Sequence, residues 1–272
     1  MSAVSATPQR AASPAPRRAA LIADLLLMIT WRDIRIKYKQ SVMGLLWAVL
    51  MPALIVAAGL LVQFGMSRLS GRPFTLDQLA AICVKSLPWA FIVGGIRFAT
   101  NSLTGNANLI TKINCPRVVF PVSAVLSALF DMLIAALPLV LVLALAGVRP
   151  SATQLWVIPL LLLMVLFVGG LGIAFSAANL YFRDVKYLVE IVLTFAIFFT
   201  PVFYSADLFG PWRDVMLLNP VAPLLEGLER SVVQRQTPDL PWVAYSAAVS
   251  IATFVLAWVM FHRLEPSFAD NV

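Results

Sequence analysis

Charged residues are scarce in this sequence. Asp, Glu, Lys and Arg make up 12% of the 272 residues, hydrophobic residues make up 61%, and the mean hydropathy is +0.89. A typical soluble domain has about 25% charged residues, and a soluble core cannot bury so large an apolar fraction. The scarcity of charge therefore excludes an ordinary soluble domain and indicates an integral membrane protein.

Residue types that carry chemistry are also few. The single histidine is His262, and the two cysteines are Cys83, in an apolar run, and Cys115, in a loop that we place across the membrane from the nearer end of that run. Neither a structural disulfide nor a metal site is indicated by this spacing. The carboxylates are dispersed, which argues against a membrane glycosyltransferase or phosphotransferase.

A nucleotide-binding loop is missing as well. The pattern G-x-x-x-x-G-K-[ST], whose backbone amides and lysine hold ATP phosphates, does not occur, and 272 residues leave little room for a fused ATPase. We therefore expect a transport subunit with no catalytic residues, metal or cofactor, and any ATP hydrolysis on a partner chain. The net charge of +7 is attributed to interaction with the membrane surface and not to binding of nucleic acid.

Six long apolar runs are what the sequence does contain. A bilayer core about 30 Å thick needs about 20 apolar residues of helix, and a helix satisfies its own backbone hydrogen bonds in lipid. We therefore predict an all-α protein with six transmembrane helices. The runs are Leu45–Phe64, Leu79–Ile96, Val118–Val148, Leu155–Leu180, Tyr187–Tyr204 and Trp242–Phe261. No internal repeat accompanies them, which argues against a secondary transporter.

Lys and Arg residues are concentrated on one side of these runs. With the amino end inside, the inner segments hold 12 of them and the outer segments hold 6. Short cytoplasmic loops carry the excess of Lys and Arg, so both termini are predicted to be cytoplasmic.

The chain divides into four segments. Residues 1–20, rich in Ser, Ala and Pro, are predicted to be a disordered cytoplasmic tail, and residues 21–40 an amphipathic helix lying on the inner leaflet. Residues 41–263 are expected to form the six-span permease domain and residues 264–272 a second cytoplasmic tail. Before the last span, the region Pro201–Leu240 is too apolar for a free loop and too rich in proline for one span. Short re-entrant helices in the outer leaflet or a loop on the membrane surface would each explain this region.

Four regions of the sequence resemble one family. They are Trp31–Pro52 (WRDIRIKYKQSVMGLLWAVLMP), Gly105–Arg117 (GNANLITKINCPR), Asn179–Lys186 (NLYFRDVK), and the outer segments TPVFY from Thr200 and NPVAPLLEGL from Asn219. These segments resemble segments that occur, in the same order relative to six spans, in the permease subunits of ABC exporters. Those exporters move polysaccharides such as O-antigen, teichoic acid and capsule.

The resemblance implies a homodimer that works with two copies of a separate nucleotide-binding ATPase subunit in a bacterial inner membrane. The implied substrate is a lipid-linked glycan of O-antigen type. Capsule, teichoic acid or another lipid or drug substrate is the alternative, because the architecture would be shared. The resemblance also implies that the region before the last span forms an outer gate, with candidate residues Pro201, Phe203, Tyr204, Asn219 and Pro220.

Coupling to an ATPase is predicted for the inner face. A short polar helix between two spans can pass a rigid-body push into both, and Pro116 would end it. The two segments concerned are the amphipathic helix 21–40 and the loop Asn106–Asn114. For the helix, attraction of its basic residues to anionic lipid is an alternative that needs no partner. For the loop, the alternative is an ordinary connector between two spans. The candidate coupling residues are Arg32, Asp33, Arg35, Lys37, Asn106, Asn108, Lys112 and Asn114.

Two further sets of residues are candidates inside the membrane. Tyr38, Trp47 and Trp89 are possible pore-lining aromatics, because flat rings stack on sugars, although Trp and Tyr also mark membrane interfaces. Lys85 and Asp131 are intramembrane ionisable groups. For Asp131 we expect a structural polar pair with Lys85 or Arg97, the other interpretation being direct contact with substrate.

Overall fold

The computed structural model describes residues 15–39, 41–71, 73–112 and 115–270. All regular secondary structure within these ranges is helical. The α-helices are α1 (Ala15–Tyr38), α2 (Leu46–Ser70), α3 (Leu76–Thr100), α4 (Ser102–Gly105), α5 (Ala107–Lys112), α6 (Val119–Leu145), α7 (Val157–Tyr181), α8 (Val185–Ala196), α9 (Arg213–Leu217), α10 (Val221–Val232) and α11 (Leu240–Leu264). Short 3-10 helices cover Ala152–Trp156, Ile197–Phe199, Ala206–Trp212 and Glu265–Asp270.

Five helices of the described residues are long and apolar enough to cross a membrane. They contain α2, α3, α6, α7 and α11, and each corresponds to one of the predicted runs. The fifth run, Tyr187–Tyr204, differs from the prediction, since α8 has 12 residues and is about 18 Å long at 1.5 Å per residue. Pro201 explains the early end, because a residue before proline avoids the helical region and Thr200 is extended at φ −124° and ψ 133°.

The long helices pack around α3 and α7. Helix α3 contacts α2, α6, α7 and α10, while α7 also packs along α11, and α1 lies against α6. The α7–α11 contact is close because Gly170 has no side chain: a Cβ there would lie 2.8 Å from the Phe254 Cα. Small residues allow membrane helices to approach backbone to backbone in this way.

Two clusters of buried apolar side chains mark the interior. The larger lies between α3, α6, α7 and α10, and the smaller joins α1, α4, α5 and the start of α6 to the ends of α7 and α11. We call the end of the bundle with the smaller cluster the Asn106 end. The opposite end, where α11 begins and the Arg213 side chain contacts Asp239, is called the Arg213 end.

The terminal segments differ from the predicted tails. Helix α1 begins at Ala15, inside the stretch predicted to be disordered; residues 1–14 lie outside the described residues. At the other terminus, Glu265–Asp270 forms a 3-10 helix, and the Phe268 side chain is fully buried at the Asn106 end. Its ring packs edge-on against Phe261 and Tyr181, so this segment belongs to the folded bundle.

Candidate functional site

A hydrogen-bond network joins α1 to the α4–α5 segment and to α6. The Arg32 guanidinium donates to Asp33 Oδ1 at 2.7 Å and to Asn106 Oδ1 at 2.7 Å. On the other side, the Ser123 hydroxyl donates to Asp33 Oδ2 at 3.1 Å. The structure thus brings together three of the sequence-selected residues, Arg32, Asp33 and Asn106, and adds Ser123 of α6.

The other candidate coupling residues are placed less centrally. Arg35 is exposed and stacks over the Trp31 ring at 5.2 Å, and Asn108 is exposed on α5. Lys112 ends α5, which confirms the predicted short helix between two spans, but its side chain and Asn114 lie outside the described residues. The network residues Arg32 and Asp33 are 31% and 24% exposed, so part of each remains accessible from outside the chain.

Asn179 joins the end of α3 and helix α4 to the start of α8. Its side-chain amide donates to the Thr100 carbonyl at 3.1 Å and to the Thr104 hydroxyl at 3.4 Å, and its Oδ1 accepts from the Lys186 backbone amide at 3.2 Å. Asn179 is 1% exposed, so these bonds are made in a dry environment where they are hard to replace with water. The sequence signal was a lone amide side chain at the end of the long apolar run, and it was not selected as a site residue.

The segment after α11 completes the Asn106 end. The Arg117 backbone amide donates to Glu265 Oε1 at 2.9 Å, and the Arg117 side chain donates to the Glu265 carbonyl at 2.6 Å. The Tyr181 and Ser267 hydroxyls also share a hydrogen bond. The start of α6, the end of α7 and the end of α11 are therefore tied into one unit.

Asp131 is paired with α1. It forms an ion pair with Lys37 and accepts a hydrogen bond from the Tyr38 hydroxyl. Burial raises the pKa of Tyr38, and the hydrogen bond to the Asp131 carboxylate raises it further, so the phenol stays protonated and acts as a donor. The Lys37 ammonium also lies 4.3 Å from the centroid of the Phe98 ring.

This pairing corrects the predicted partners of Asp131, which were Lys85 or Arg97. Arg97 instead forms a pair with Glu190 of α8, at 2.7 Å from Nε to Oε2, and Lys85 turns toward α10. Lys85 projects from the face of α3 that packs against α10, and Arg97 lies on an exposed part of α3 beside α8, whereas Asp131 projects from the face of α6 that α1 covers.

Lys85 is the centre of a buried charge cluster. Its ammonium lies 2.6 Å from Glu229 Oε2 and 3.6 Å from Glu226 Oε1, and it donates to the Tyr204 carbonyl at 2.7 Å. Lys85 is 2% exposed and the two glutamates are 8% exposed. Glu226 also accepts from the Ala206 backbone amide at 3.1 Å. The cluster therefore holds residues 204–206 against both α3 and α10, which the sequence did not predict.

The candidate gate residues lie in the segment 200–220, of which Tyr204 contacts the charge cluster. The Gln63 amide of α2 donates to the Phe203 carbonyl at 2.5 Å, and the Asn219 amide donates to the Thr200 hydroxyl at 2.9 Å. Pro201 is buried, and Tyr204 and Pro220 are partly buried. The Asn219–Thr200 contact brings the two ends of residues 200–219 together, so this segment forms a closed loop.

The three candidate pore-lining aromatics are in different environments. Trp47 is 40% exposed on α2, and Tyr38 is partly buried against Asp131. Trp89 is 3% exposed within the larger apolar cluster, so its ring is covered by protein and offers no free face to a sugar.

Comparison with known proteins agrees with this architecture. The family model described as ABC-2 type transporter matches residues 24–232, a range that contains the α1 network, the α4–α5 segment and the buried charge cluster. Two O-antigen export system permease proteins RfbA from Klebsiella pneumoniae are 27% and 26% identical to this chain over 249 residues, covering 91% of this chain and 94% of each relative. A protein of the same name from Myxococcus xanthus is 27% identical over 252 residues, covering 91% of this chain and 95% of that relative. The family model covers well over half of the sequence and the helices form a multi-span membrane bundle, so the chain belongs to the ABC-2 type transporter family as a transport subunit.

Proposed function

We propose that this chain is the transmembrane subunit of an exporter that moves a lipid-linked polysaccharide of O-antigen type across a bacterial inner membrane. Two copies of the chain form the conduit, and two copies of a separate ATPase subunit supply the energy. The substrate named for the three relatives, O-antigen, supports the substrate class. The missing phosphate-binding loop in this sequence supports a division of labour between two kinds of chain.

The Asn106 end is the proposed docking surface for the ATPase and faces the cytoplasm. The single observation that carries this proposal is the contact from Arg32 to Asn106, at 2.7 Å, which joins the basic helix to the connector between two spans. Positive charge is concentrated there, as the positive-inside rule requires of a cytoplasmic face. The basic residues at or near this end are Arg32, Arg35, Arg97, Arg117, Arg183, Lys186 and Arg263.

The packing at this end suits mechanical coupling. Leu103 of α4 and Ile110 of α5 are 0% and 7% exposed, and both belong to the smaller apolar cluster. A push on α5 therefore meets close-packed side chains instead of a loose loop, and interiors packed in this way transmit displacement. Asn179 and Arg32 connect the same segment to α8 and α1, so one displacement reaches several spanning helices.

The proposed topology has six crossings and a re-entrant region. Helix α8 and Ile197–Phe199 together form the short fifth crossing, and residues 200–232 enter and leave the membrane from the Arg213 end. The position of Lys85 supports a re-entrant segment. Lys85 lies nine residues from the start of α3, which is about 14 Å along the helix at 1.5 Å per residue. Because the Lys85 ammonium contacts the Tyr204 carbonyl, residue 204 lies at a similar distance from that end of α3. The exposed apolar residues Leu27 and Met28 of α1 support an interfacial position for its first half.

The second copy is proposed to lie against α2. Only 11% of the apolar stretch of α2 is buried within one chain, and Trp47 is exposed on the same helix. In this arrangement Trp47 and Tyr38 contact the glycan, and Pro201, Phe203, Tyr204, Asn219 and Pro220 form the outer gate. Capsule, teichoic acid or another lipid or drug is the alternative substrate, and a comparison of ATPase stimulation by each lipid-linked glycan distinguishes them.

The test is ATP hydrolysis by the ATPase encoded beside this gene, co-reconstituted with the chain in proteoliposomes. We expect lipid-linked O-antigen to stimulate hydrolysis, and Asn106→Ala to reduce that stimulation about tenfold, because a hydrogen bond to a charged group is worth about 1.5–3 kcal/mol. The matched control is Asn101→Ala, since within the described part of the chain the Asn101 side-chain amide donates only to the Arg97 carbonyl, four residues earlier in the sequence. Stimulation that is equal in both variants, or absent in the wild type, contradicts the proposal.

A further inference from the structure

A half-open cavity of about 330 Å³ lies at the Arg213 end, inside a single copy of the chain. It is bounded by α2, α3, the segment that follows Thr200, and the end of α10. This volume falls at the lower end of the range of about 300–1,000 Å³ that is usual for small-molecule sites. Its lining includes Gln63, Ile82, Lys85, Phe203, Glu229 and Gln234.

The floor of the cavity consists of buried charged groups. Lys85 and Glu229 both line it, at 2% and 8% exposure, and Glu226 lies directly behind them. Glu229 Oε2 contacts the Lys85 ammonium at 2.6 Å and has no hydrogen-bond donor besides it among the described residues. With Asp77 at the cavity lining, acidic groups outnumber the one ammonium. The site therefore disfavours anions and offers acceptors to a ligand rich in hydroxyl donors.

The walls combine apolar and amide surfaces. Phe203 lines the cavity, and its ring lies so close to Gly59 that an added Cβ there would be 2.7 Å from the ring, so the ring has little freedom to move. Ile82 adds an apolar patch, and Gln234, which donates to Glu229 Oε1 at 3.1 Å, adds an amide. An apolar wall opposite a floor of acceptors matches a sugar ring, which has a face of C–H groups and an edge of hydroxyls.

We propose that this cavity binds one sugar residue of the exported glycan within each copy of the chain, at the Arg213 end. The inference rests on the proposed function, because it takes the ligand from a glycan substrate. It adds a sugar contact inside each copy, beside the proposed gate residues Phe203 and Tyr204 and at the opposite end of the bundle from the proposed ATPase surface.

The experiment measures sugar binding without the ATPase. The purified full chain in nanodiscs is titrated with methyl glycosides of glucose, galactose, mannose, rhamnose and N-acetylglucosamine, and binding is followed by saturation-transfer NMR. We expect a saturable signal from at least one glycoside in the absence of nucleotide. Empty nanodiscs provide the background, and a signal no greater than that background for every glycoside overturns the inference.

Two variants locate the binding site. Phe203→Ala and Gln234→Ala should each weaken binding about fivefold, the loss expected from one contact of about 1 kcal/mol. Phe199→Ala and Gln236→Ala are the matched controls, because both residues are exposed and neither lines the cavity. Binding that is unchanged in the cavity variants, or reduced equally in the controls, overturns the inference.

The inference and the proposed function can fail separately. ATPase stimulation with no glycoside binding leaves the exporter proposal in place and removes the cavity site. Glycoside binding with no stimulation of the ATPase leaves a sugar site in this cavity and removes an exported glycan as its ligand, because the binding assay contains no energy source.

Discussion

Replacing Lys85 by methionine perturbs the buried charge cluster while keeping a long apolar side chain. In the wild type the ammonium lies 2.6 Å from Glu229 Oε2, 3.6 Å from Glu226 Oε1 and 2.7 Å from the Tyr204 carbonyl. Lys85→Met leaves two carboxylates facing each other at 8% exposure. Removing one partner of a buried ion pair costs about 3–5 kcal/mol, chiefly because the remaining charge is left uncompensated. We expect the free energy of unfolding to fall by that amount.

A second substitution tests this reason for the loss. Lys85→Met combined with Glu229→Gln removes one of the stranded charges, and it should therefore be more stable than Lys85→Met alone. The matched control is Arg97→Met, which breaks a pair with Glu190 that is 44% and 47% exposed. Exposed ion pairs are worth about 0–1 kcal/mol, so the control should lose little stability.

The assay is reversible unfolding in mixed detergent micelles, followed by tryptophan fluorescence. The expected order of stability is wild type, then Arg97→Met, then the double variant, then Lys85→Met. If Lys85→Met is as stable as Arg97→Met, or if the added Glu229→Gln lowers stability further, the account of a compensated buried charge is refuted.

Three other substitutions test separate contacts. Gly170→Ala should lower stability by about 1–3 kcal/mol in the same unfolding assay, because the new methyl group meets the backbone of α11 at 2.8 Å; Gly65→Ala should not, because a Cβ at Gly65 has no neighbour within 4 Å. Asn179→Ala should cost about 1–3 kcal/mol by leaving buried backbone groups unpaired and should also reduce ATPase stimulation, and full stimulation would contradict its role in joining α4 to α8. Tyr38→Phe removes a hydrogen bond to a carboxylate, worth about 1.5–3 kcal/mol, and an unchanged unfolding midpoint would contradict that contact.

The sequence was sufficient to predict the class of protein and most of its long helices. Runs of about 20 apolar residues have only one stable form in lipid, so five of the predicted spans have counterparts in the structure. The short helix α5 was also predicted, because Pro116 limits how far a helix after Asn106 can extend. Pro201 is a sequence signal for the early end of α8. The prediction of a span over Tyr187–Tyr204 gave more weight to the number of apolar residues than to this proline.

The partners of the buried charges could not be predicted in the same way. Lys85 is 141 and 144 positions from Glu226 and Glu229 in the sequence, and α3, the helix that carries Lys85, is apolar over most of its surface. Without a polar face to orient it, a membrane helix is rotated according to close packing with its neighbours, so the direction in which Lys85 points depends on contacts such as that of Gly95 with Val168. The same reason explains why Asp131 was assigned the wrong partner.

The C-terminal segment shows a different limit. Phe268 follows a charged stretch at the end of the chain, and a single aromatic residue there carries no periodic signal. Its burial depends on a pocket formed by Tyr181, Phe261 and Arg117, which come from three distant parts of the sequence. A tail was the simpler prediction, and the structure replaces it with a docked 3-10 helix.

The central claim is that the chain is driven by a separate ATPase that docks at the Asn106 end. Its most direct test is photo-crosslinking in living cells, with a photoreactive amino acid at position 108 on α5 or at position 236 near the start of α11. Both positions are exposed, but they lie at opposite ends of the bundle. We predict a crosslink to the ATPase from position 108 and none from position 236. A crosslink from position 236, with none from position 108, would contradict both the docking surface and the orientation of the chain.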